Sequence, residues 1–120
     1  MVTEDDVRRI ALSLPETSEK PSYGTPGFRV KDKLFARIRE EGDVLVAWCA
    51  DLDEKEALIA AQPDTFFTLP HYDGHPTVLV RFAAIDADGL TEVLTDAWLV
   101  RAPVRVRQAF EAAGARGGDD

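Results

Sequence analysis

The residues best suited to binding chemistry in this sequence are arginines that alternate with apolar residues. Residues 33–39 contain two alternating sets, Leu34, Ala36 and Ile38 in one and Lys33, Phe35, Arg37 and Arg39 in the other. In an extended strand, such alternation directs the two sets to opposite faces of a sheet. Arg29 and Arg81 also lie between apolar neighbours in segments with strand character. The pattern predicts that the four arginines share the open face of the sheet with Phe35, and that Arg37 and Arg39 face water.

That face could bind an anionic partner. A guanidinium presents a planar fork of donors that matches phosphate or carboxylate, and a neighbouring aromatic ring can stack on a nucleobase. The alternative is a solvated face of the kind that one-sided antiparallel sheets commonly show. In that case the arginines would pair with nearby acids, namely Glu40, Glu41 and Asp43.

Two histidines, His71 and His75, flank Tyr72 and Asp73 in a segment bounded by Pro70 and Pro76. Imidazole is a common zinc ligand, but a zinc site needs a third or fourth ligand at fixed geometry. The sequence supplies no obvious further ligand here. We therefore expect packing within a turn and no bound metal.

The remaining reactive groups favour structural roles. Cys49 lies in an apolar run beside Trp48, which predicts a buried thiol and no nucleophile. Asp88, Glu92 and Asp96 recur every four residues, which predicts an acidic stripe on a solvated helix face. The sequence contains no nucleophile elbow and no phosphate-binding loop, so we expect no enzyme activity and no cofactor.

Composition limits the partners. The net charge of −8 is uneven, since residues 51–100 carry ten acids and two bases. A strongly acidic chain repels nucleic acid at long range, so a surface for it would have to be local. The acidic N-terminus, the single cysteine and the short apolar runs predict a cytoplasmic protein without disulfides or membrane contact. The length predicts one domain, residues 1–114, with a disordered tail at 115–120.

The helices and strands that must position these residues can be predicted from the spacing of the apolar residues and from the positions of glycine, proline and capping residues. Helices are predicted at 3–14, 54–62, 88–101 and from Pro103 to about Gly114, with Thr3 and Asp53 as N-caps of the first two. The apolar stripe of the third helix predicts that Trp98 lies in the core. Strands are predicted at 27–31, 33–40, 43–50, 66–69 and 77–82, and the proline-rich residues 15–26 as an irregular connection. This order, α-β-β-β-α-β-β-α-α, predicts an α+β fold with a five-stranded antiparallel sheet and helices on one face.

Four strings follow one another along this order of elements: Leu12-Ser13-Leu14-Pro15, Glu19-Lys20-Pro21, Gly24-Thr25-Pro26-Gly27-Phe28-Arg29-Val30 and Ala102-Pro103-Val104-Arg105. Together with the order of elements, they resemble the MmcQ/YjbR family. The stretch from Phe66 to Pro76 is similar to the version in actinobacterial members of that family. The resemblance covers about residues 5–112 of the chain.

The resemblance implies helices packed on an antiparallel sheet, no established enzyme activity, and DNA binding through two β-hairpin wings. Here the wings would be the turns at Lys31–Lys33 and at His71–Pro76. The second turn departs from the glycine- and lysine-rich form common in the family, which lowers its positive charge. Lys20 and Arg105 join the candidate DNA-binding residues because they lie in the family-like strings. The nucleic-acid-binding set is therefore Lys20, Arg29, Lys31, Lys33, Phe35, Arg37, Arg39, Arg81 and Arg105.

The sequence thus predicts a non-enzymatic binding domain that contacts DNA weakly through this arginine face. The alternative is a protein-interaction or small-anion-binding module that uses the same arginines and has no nucleic-acid role.

Overall fold

The computed structural model describes the backbone of residues 1–117 and the side chains of residues 1–114. Its helices and strands follow one another as α1 (Glu4–Leu12), β1 (Thr17–Ser22), β2 (Thr25–Val30), β3 (Lys33–Ile38), β4 (Val44–Trp48), α2 (Leu52–Ala61), β5 (Phe66–Phe67), β6 (Thr77–Arg81), α3 (Ala87–Arg101) and α4 (Val104–Gly117). Short 3-10 turns occur at Pro70–Tyr72 and Phe82–Ala84. The α+β class and the antiparallel sheet are as predicted.

The sheet has six strands in the order β1-β2-β3-β4-β6-β5, so the prediction of five strands was wrong. The missed strand is β1, which lies within the segment predicted to be an irregular connection. It is an edge strand, where a proline such as Pro21 removes no hydrogen bond from a second neighbour. Tyr23 and Gly24, both with positive φ, form the tight turn that joins β1 to β2.

The predicted alternation along β3 holds only in part, because the pairing of β2 with β3 contains a bulge. Phe28 pairs with Ala36, but Arg29 pairs with Leu34, which leaves Phe35 as the extra residue. An extra residue shifts the face of every side chain on one side of it. Phe35 is therefore fully buried in the core and not on the open face.

The core lies between the sheet and the helices. Phe28, Ala36, Ala47 and Val78 pair across four strands and point to the same side. Apolar residues from all four helices pack against this face, for example Ile10, Leu58, Leu94 and Phe110. Trp98 of α3 is fully buried at its centre, as predicted, and its indole N–H donates to the carbonyl of Pro15 at 3.0 Å.

The helix ends match the predicted caps at α1 but not at α2. Thr3 and Asp6 form the expected capping box of α1. The N-cap of α2 is Asp51 and not Asp53, because the Asp51 side chain accepts from the Glu54 N–H at 2.8 Å. At the C-terminus α4 continues past Gly114 to Gly117. The rest of the predicted tail, residues 118–120, lies outside the described residues.

Within residues 1–117, none of the helices is both long enough and apolar enough to cross a membrane.

Candidate functional site: a groove on the outer face of the sheet

The face of the sheet opposite the helices, called here the outer face, carries the four predicted arginines. Arg37 pairs with Val46, which pairs with Leu79, and Arg81 pairs with Val44 at the end of the same strands. Val46 and Leu79 are buried although they point away from the helices. Something other than a helix must therefore cover them.

The cover is a layer of guanidinium groups and aromatic rings. Each of three arginines lies over a ring: Arg37 over Tyr23 at 5.3 Å, Arg39 over Tyr72 at 5.8 Å and Arg81 over Phe67 at 4.0 Å from the ring centroid. Such stacking attracts the cation to the negative face of the ring and shields the apolar residues beneath it. The outer face is consequently covered, whereas the sequence predicted an open face. The ion pairs of Arg37 with Glu40 and of Arg39 with Glu41 are among those that the alternative predicted.

Arg37 is the most buried of these arginines, with only 9% of its surface exposed. One of its terminal nitrogens donates to the Tyr72 hydroxyl at 2.9 Å, and the other donates to Glu40 at 3.3 Å. The expectation that Arg37 faces water was therefore wrong. The tyrosine that covers it lies 35 residues away in the chain.

Arg39, Arg29 and Arg81 are also engaged within the protein. Arg39 pairs with Glu41 at 3.0 Å. Arg29 donates to the carbonyl of Asp32 at 3.2 Å. Arg81 donates to the carbonyls of Pro63 and Asp64 at 3.3 and 3.2 Å.

The candidate lysines lie at the periphery. Lys20 pairs with Asp32 at 3.2 Å, and Lys31 pairs with Glu16 at 3.2 Å. Lys33 is exposed at the start of β3, where its pairing with Val30 places it on the helix side of the sheet. Arg105 is exposed on α4, which also packs on the helix side. Of the nine candidates, the structure brings five together on the outer face, namely Lys20, Arg29, Arg37, Arg39 and Arg81. Lys31 lies in the turn between β2 and β3. Lys33, Phe35 and Arg105 lie apart from the outer face.

Residues 69–76 cross the outer face between β5 and β6, and we call them the crossing segment. The buried ammonium of Lys55 on α2 donates to the carbonyls of Tyr72 and His75 at 2.6 and 3.0 Å. The Cys49 N–H donates to the carbonyl of Pro76 at 2.7 Å. These bonds fix the segment to the body of the protein, so that it forms a stable wall over the sheet.

Between the crossing segment and the β1–β2 turn lies a groove of about 690 Å³, called here the outer-face groove. Leu34, Val46, Trp48 and Thr77 line its floor. Tyr23 stands on one side, and His71, Tyr72 and His75 stand on the other. Pockets of this size commonly hold small molecules, and a largely apolar lining with a few convergent polar groups is typical of them.

Two polar groups in this groove have unused capacity. Arg37 carries five N–H donors on three nitrogens. Each of its two terminal nitrogens makes one of the hydrogen bonds described above, which leaves three donors without a described partner. The Thr77 hydroxyl is buried and has no hydrogen-bond partner among the described residues. A hydroxyl without a protein partner at the lining of a groove is a candidate contact for a polar group of a ligand.

The sequence reasoning missed Tyr23, Tyr72, Trp48, Thr77 and Lys55. For Tyr23 a local signal exists, since Tyr23-Gly24 precedes the strand-forming residues and glycine favours tight turns with positive φ. For the others no local signal exists, because their roles depend on contacts between distant segments.

Among the described residues, the two histidines have no neighbours that would complete a metal site. Both are exposed, and His71 packs edge-on against Tyr72 with ring centroids 5.1 Å apart. In the described part of the chain, no group of three or more histidine, cysteine or acidic side chains could hold a metal ion.

Zinc is expected to leave thermal stability unchanged, because the two imidazoles lack a third ligand. The measurement compares the melting temperature in chelator with that in excess zinc, on the wild type and on His71→Ala. A rise with zinc that His71→Ala abolishes would contradict this.

A second, smaller cavity of about 240 Å³ lies on the helix side, between α2 and α3. Glu54, Glu92 and Asp96 line it, and burial, followed by repulsion from Glu54 and Glu92, raises the pKa of Asp96. The predicted acidic stripe therefore borders a crevice between helices along part of its length. Cys49 lies at the same cavity, is 2% exposed, and has its pKa raised to about 12 chiefly by burial. The prediction of a buried, unreactive thiol agrees with this setting.

Comparison with known proteins assigns the chain to a family. The family model described as YjbR matches residues 12–100. The chain belongs to the YjbR family. The uncharacterized protein Rv2570 of Mycobacterium tuberculosis (strain ATCC 25618 / H37Rv) is 40% identical, with 93% of this chain and 98% of the relative covered. The uncharacterized protein Mb2600 of Mycobacterium bovis shows the same identity and coverage.

A crystal structure supports the fold of this YjbR-family chain. Protein DR2400 of Deinococcus radiodurans, described as a DUF419 domain, superposes with a TM-score of 0.69. The match covers 83% of this chain and 78% of that protein, at 24% identity. At that identity the similarity carries information about the fold alone.

Proposed function

We propose that this YjbR-family protein is a non-catalytic binding module whose outer-face groove holds a small anionic ligand. The observation that carries the proposal is the buried guanidinium of Arg37 at the groove, between Tyr23 and Tyr72. A desolvated arginine with unused donors interacts strongly with an anion, since charge-assisted hydrogen bonds gain strength where water is excluded. The aromatic side chains around it supply apolar contact.

Weak DNA binding is the second candidate, favoured by the position of Arg29, Arg37, Arg39 and Arg81 on one face. Most of their donors are already used within the protein, so the exposed cations are the ones that could meet phosphate. These are Lys33, Arg105, and Lys20 and Lys31, whose ion pairs with Asp32 and Glu16 lie at the surface. About four contacts give log K against log salt a slope of roughly −4, with a dissociation constant of about 10⁻⁴–10⁻⁶ M. The net charge of −8 pushes the affinity towards the weak end.

Two variants separate the candidates. We expect naphthoate, used as a small anionic probe, to shift the amide resonances of the outer-face groove in the wild type. Arg37→Gln should abolish those shifts, whereas the double variant Lys31→Glu/Lys33→Glu should keep them. If no small anion shifts the amide resonances of the groove at any concentration tested, the proposal is wrong.

The DNA arm uses fluorescence anisotropy with a short duplex at several salt concentrations. If the groove is the functional site, we expect no duplex binding at physiological salt, either in the wild type or in Arg37→Gln. Salt-dependent binding in the range of about 10⁻⁴–10⁻⁶ M that Lys31→Glu/Lys33→Glu removes, without any response of the groove to small anions, would favour the second candidate.

A further inference from the structure

We infer that the ligand of the outer-face groove is an aromatic monocarboxylate, a flat ring system that carries one carboxylate group. This inference rests on the proposed function and specifies its ligand class. It follows from the charge, the shape and the unsatisfied polar groups of the groove.

Charge limits the ligand to one negative group. Apart from the two histidines, Arg37 is the one basic residue that lines the groove in the described part of the chain. A dianionic phosphate would lack a second cation, in a protein whose net charge of −8 already repels it. A neutral ligand would leave the guanidinium unused. A single carboxylate matches the planar fork of an arginine in both charge and geometry.

Glu40 shows how a carboxylate meets this arginine. Its side chain is 53% exposed at the rim of the groove and contacts an Arg37 terminal nitrogen at 3.3 Å. A backbone hydrogen bond, followed by the charge and hydrogen bond of Arg37, lowers the pKa of Glu40. Glu40 therefore occupies one side of the guanidinium as an internal carboxylate that can swing into water. A ligand carboxylate would compete with it for Arg37.

The shape of the groove and its aromatic lining select a flat ring. Tyr23 is 81% exposed in a turn and offers an uncovered ring beside Arg37. Trp48 lines the floor, and His71 and Tyr72 line the opposite side. Aromatic surfaces in offset or edge-on contact add to the burial of apolar area. A volume of about 690 Å³ admits a bicyclic ring system with room to spare.

Thr77 supplies a second polar contact. Among the described residues its hydroxyl has no hydrogen-bond partner, and protein atoms cover it. Rotation about χ1 moves the hydroxyl to another staggered position, from which it could reach the groove. A hydroxyl or amide on the ligand ring would satisfy it. Thr77→Val should then weaken binding of such a ligand without loss of stability, because the change removes a hydroxyl that has no partner.

The test compares matched probes by isothermal titration calorimetry at fixed ionic strength. Naphthoate is expected to bind at least about tenfold more tightly than naphthamide, which lacks the charge, and than acetate, which lacks the ring. It should also bind more tightly than naphthyl phosphate. Tighter binding of the amide or the phosphate would overturn the ligand class.

Variants of the groove provide the second readout. Arg37→Gln should lower the affinity for naphthoate at least about tenfold, because it removes one charge-assisted contact. It should leave the affinity for naphthamide unchanged. Arg29→Gln, on the same face but outside the groove, should change neither. Glu40→Gln should raise the affinity for naphthoate several-fold, since it removes the competing carboxylate. The Glu40 side chain is 53% exposed and glutamine keeps its size, so the variant should fold. Unchanged or weaker naphthoate binding in folded Glu40→Gln contradicts the inference.

The failures of the two proposals are distinguishable. If acetate, naphthamide or naphthyl phosphate binds best and shifts the groove resonances, the groove is a small-ligand site but the aromatic carboxylate is the wrong class. If none of the four probes perturbs the groove, the proposed function itself fails.

Discussion

Trp98→Ala is expected to lower the free energy of unfolding by about 3–5 kcal/mol, the range for emptying a large buried aromatic site. Trp98 is fully buried at the centre of the core and packs against Phe110, with ring centroids 4.9 Å apart. The change also leaves the carbonyl of Pro15 without its indole donor. Chemical denaturation followed by circular dichroism measures the effect. The slope of the unfolding free energy against denaturant concentration should be the same in variant and wild type, which shows that both undergo the same unfolding transition.

Trp98→Phe is the matched control. It keeps most of the ring volume and loses the hydrogen bond to Pro15, so it should cost about 1–2 kcal/mol. A near-wild-type stability of Trp98→Ala would mean that the ring is not the centre of the core. If the two variants lose equal free energy of unfolding, the hydrogen bond and not the packing of the ring accounts for the contribution of Trp98.

Arg37→Glu is expected to lower the free energy of unfolding by about 3–5 kcal/mol, the cost of leaving a charge buried without its partner. The new carboxylate would lie beside Glu40, in a site where the arginine is only 9% exposed. It would also lose the contact of the guanidinium with the Tyr23 ring and the hydrogen bond from Arg37 to Tyr72. Thermal and chemical unfolding below and above the titration range of carboxylates would show the penalty shrinking as the acids are protonated.

Two controls separate charge from position. Lys33→Glu makes the same charge change on the same strand at an exposed residue, and should alter stability by about 0.5 kcal/mol or less. Arg37→Met keeps the length of the side chain without charge and should cost less than Arg37→Glu. If Arg37→Glu is as stable as Lys33→Glu, Arg37 faces water and the outer-face groove lacks its central cation.

The sequence by itself determined the features that depend on neighbours along the chain. The capping box of Thr3 and Asp6 could be predicted because its partners lie three residues apart. The antiparallel meander followed from strands separated by turns too short for a crossover. The amphipathic period of α3 placed Trp98 in the core, and the apolar run around Cys49 predicted its burial.

The shared face of the arginines was also readable from the sequence, but the exposure of that face was not. Alternation with a period of two assigns a side to Arg29, Arg37 and Arg39. Cross-strand pairing confirms it for Arg29 and Arg37, and the contact with the Tyr72 ring confirms it for Arg39. It says nothing about what lies above that side. The crossing segment supplies Tyr72, which covers Arg37 from 35 residues away.

The tertiary structure alone decided the face of Phe35, the sixth strand and the outer-face groove. The bulge at Phe35 is a property of the pairing between two strands, so no single strand reveals it. β1 forms because an edge strand tolerates Pro21, a condition set by its place in the sheet. The groove exists because Lys55 fixes the crossing segment over β3 and β4 through two backbone carbonyls. These contacts join residues far apart in sequence, where local periodicity carries no information about spatial partners.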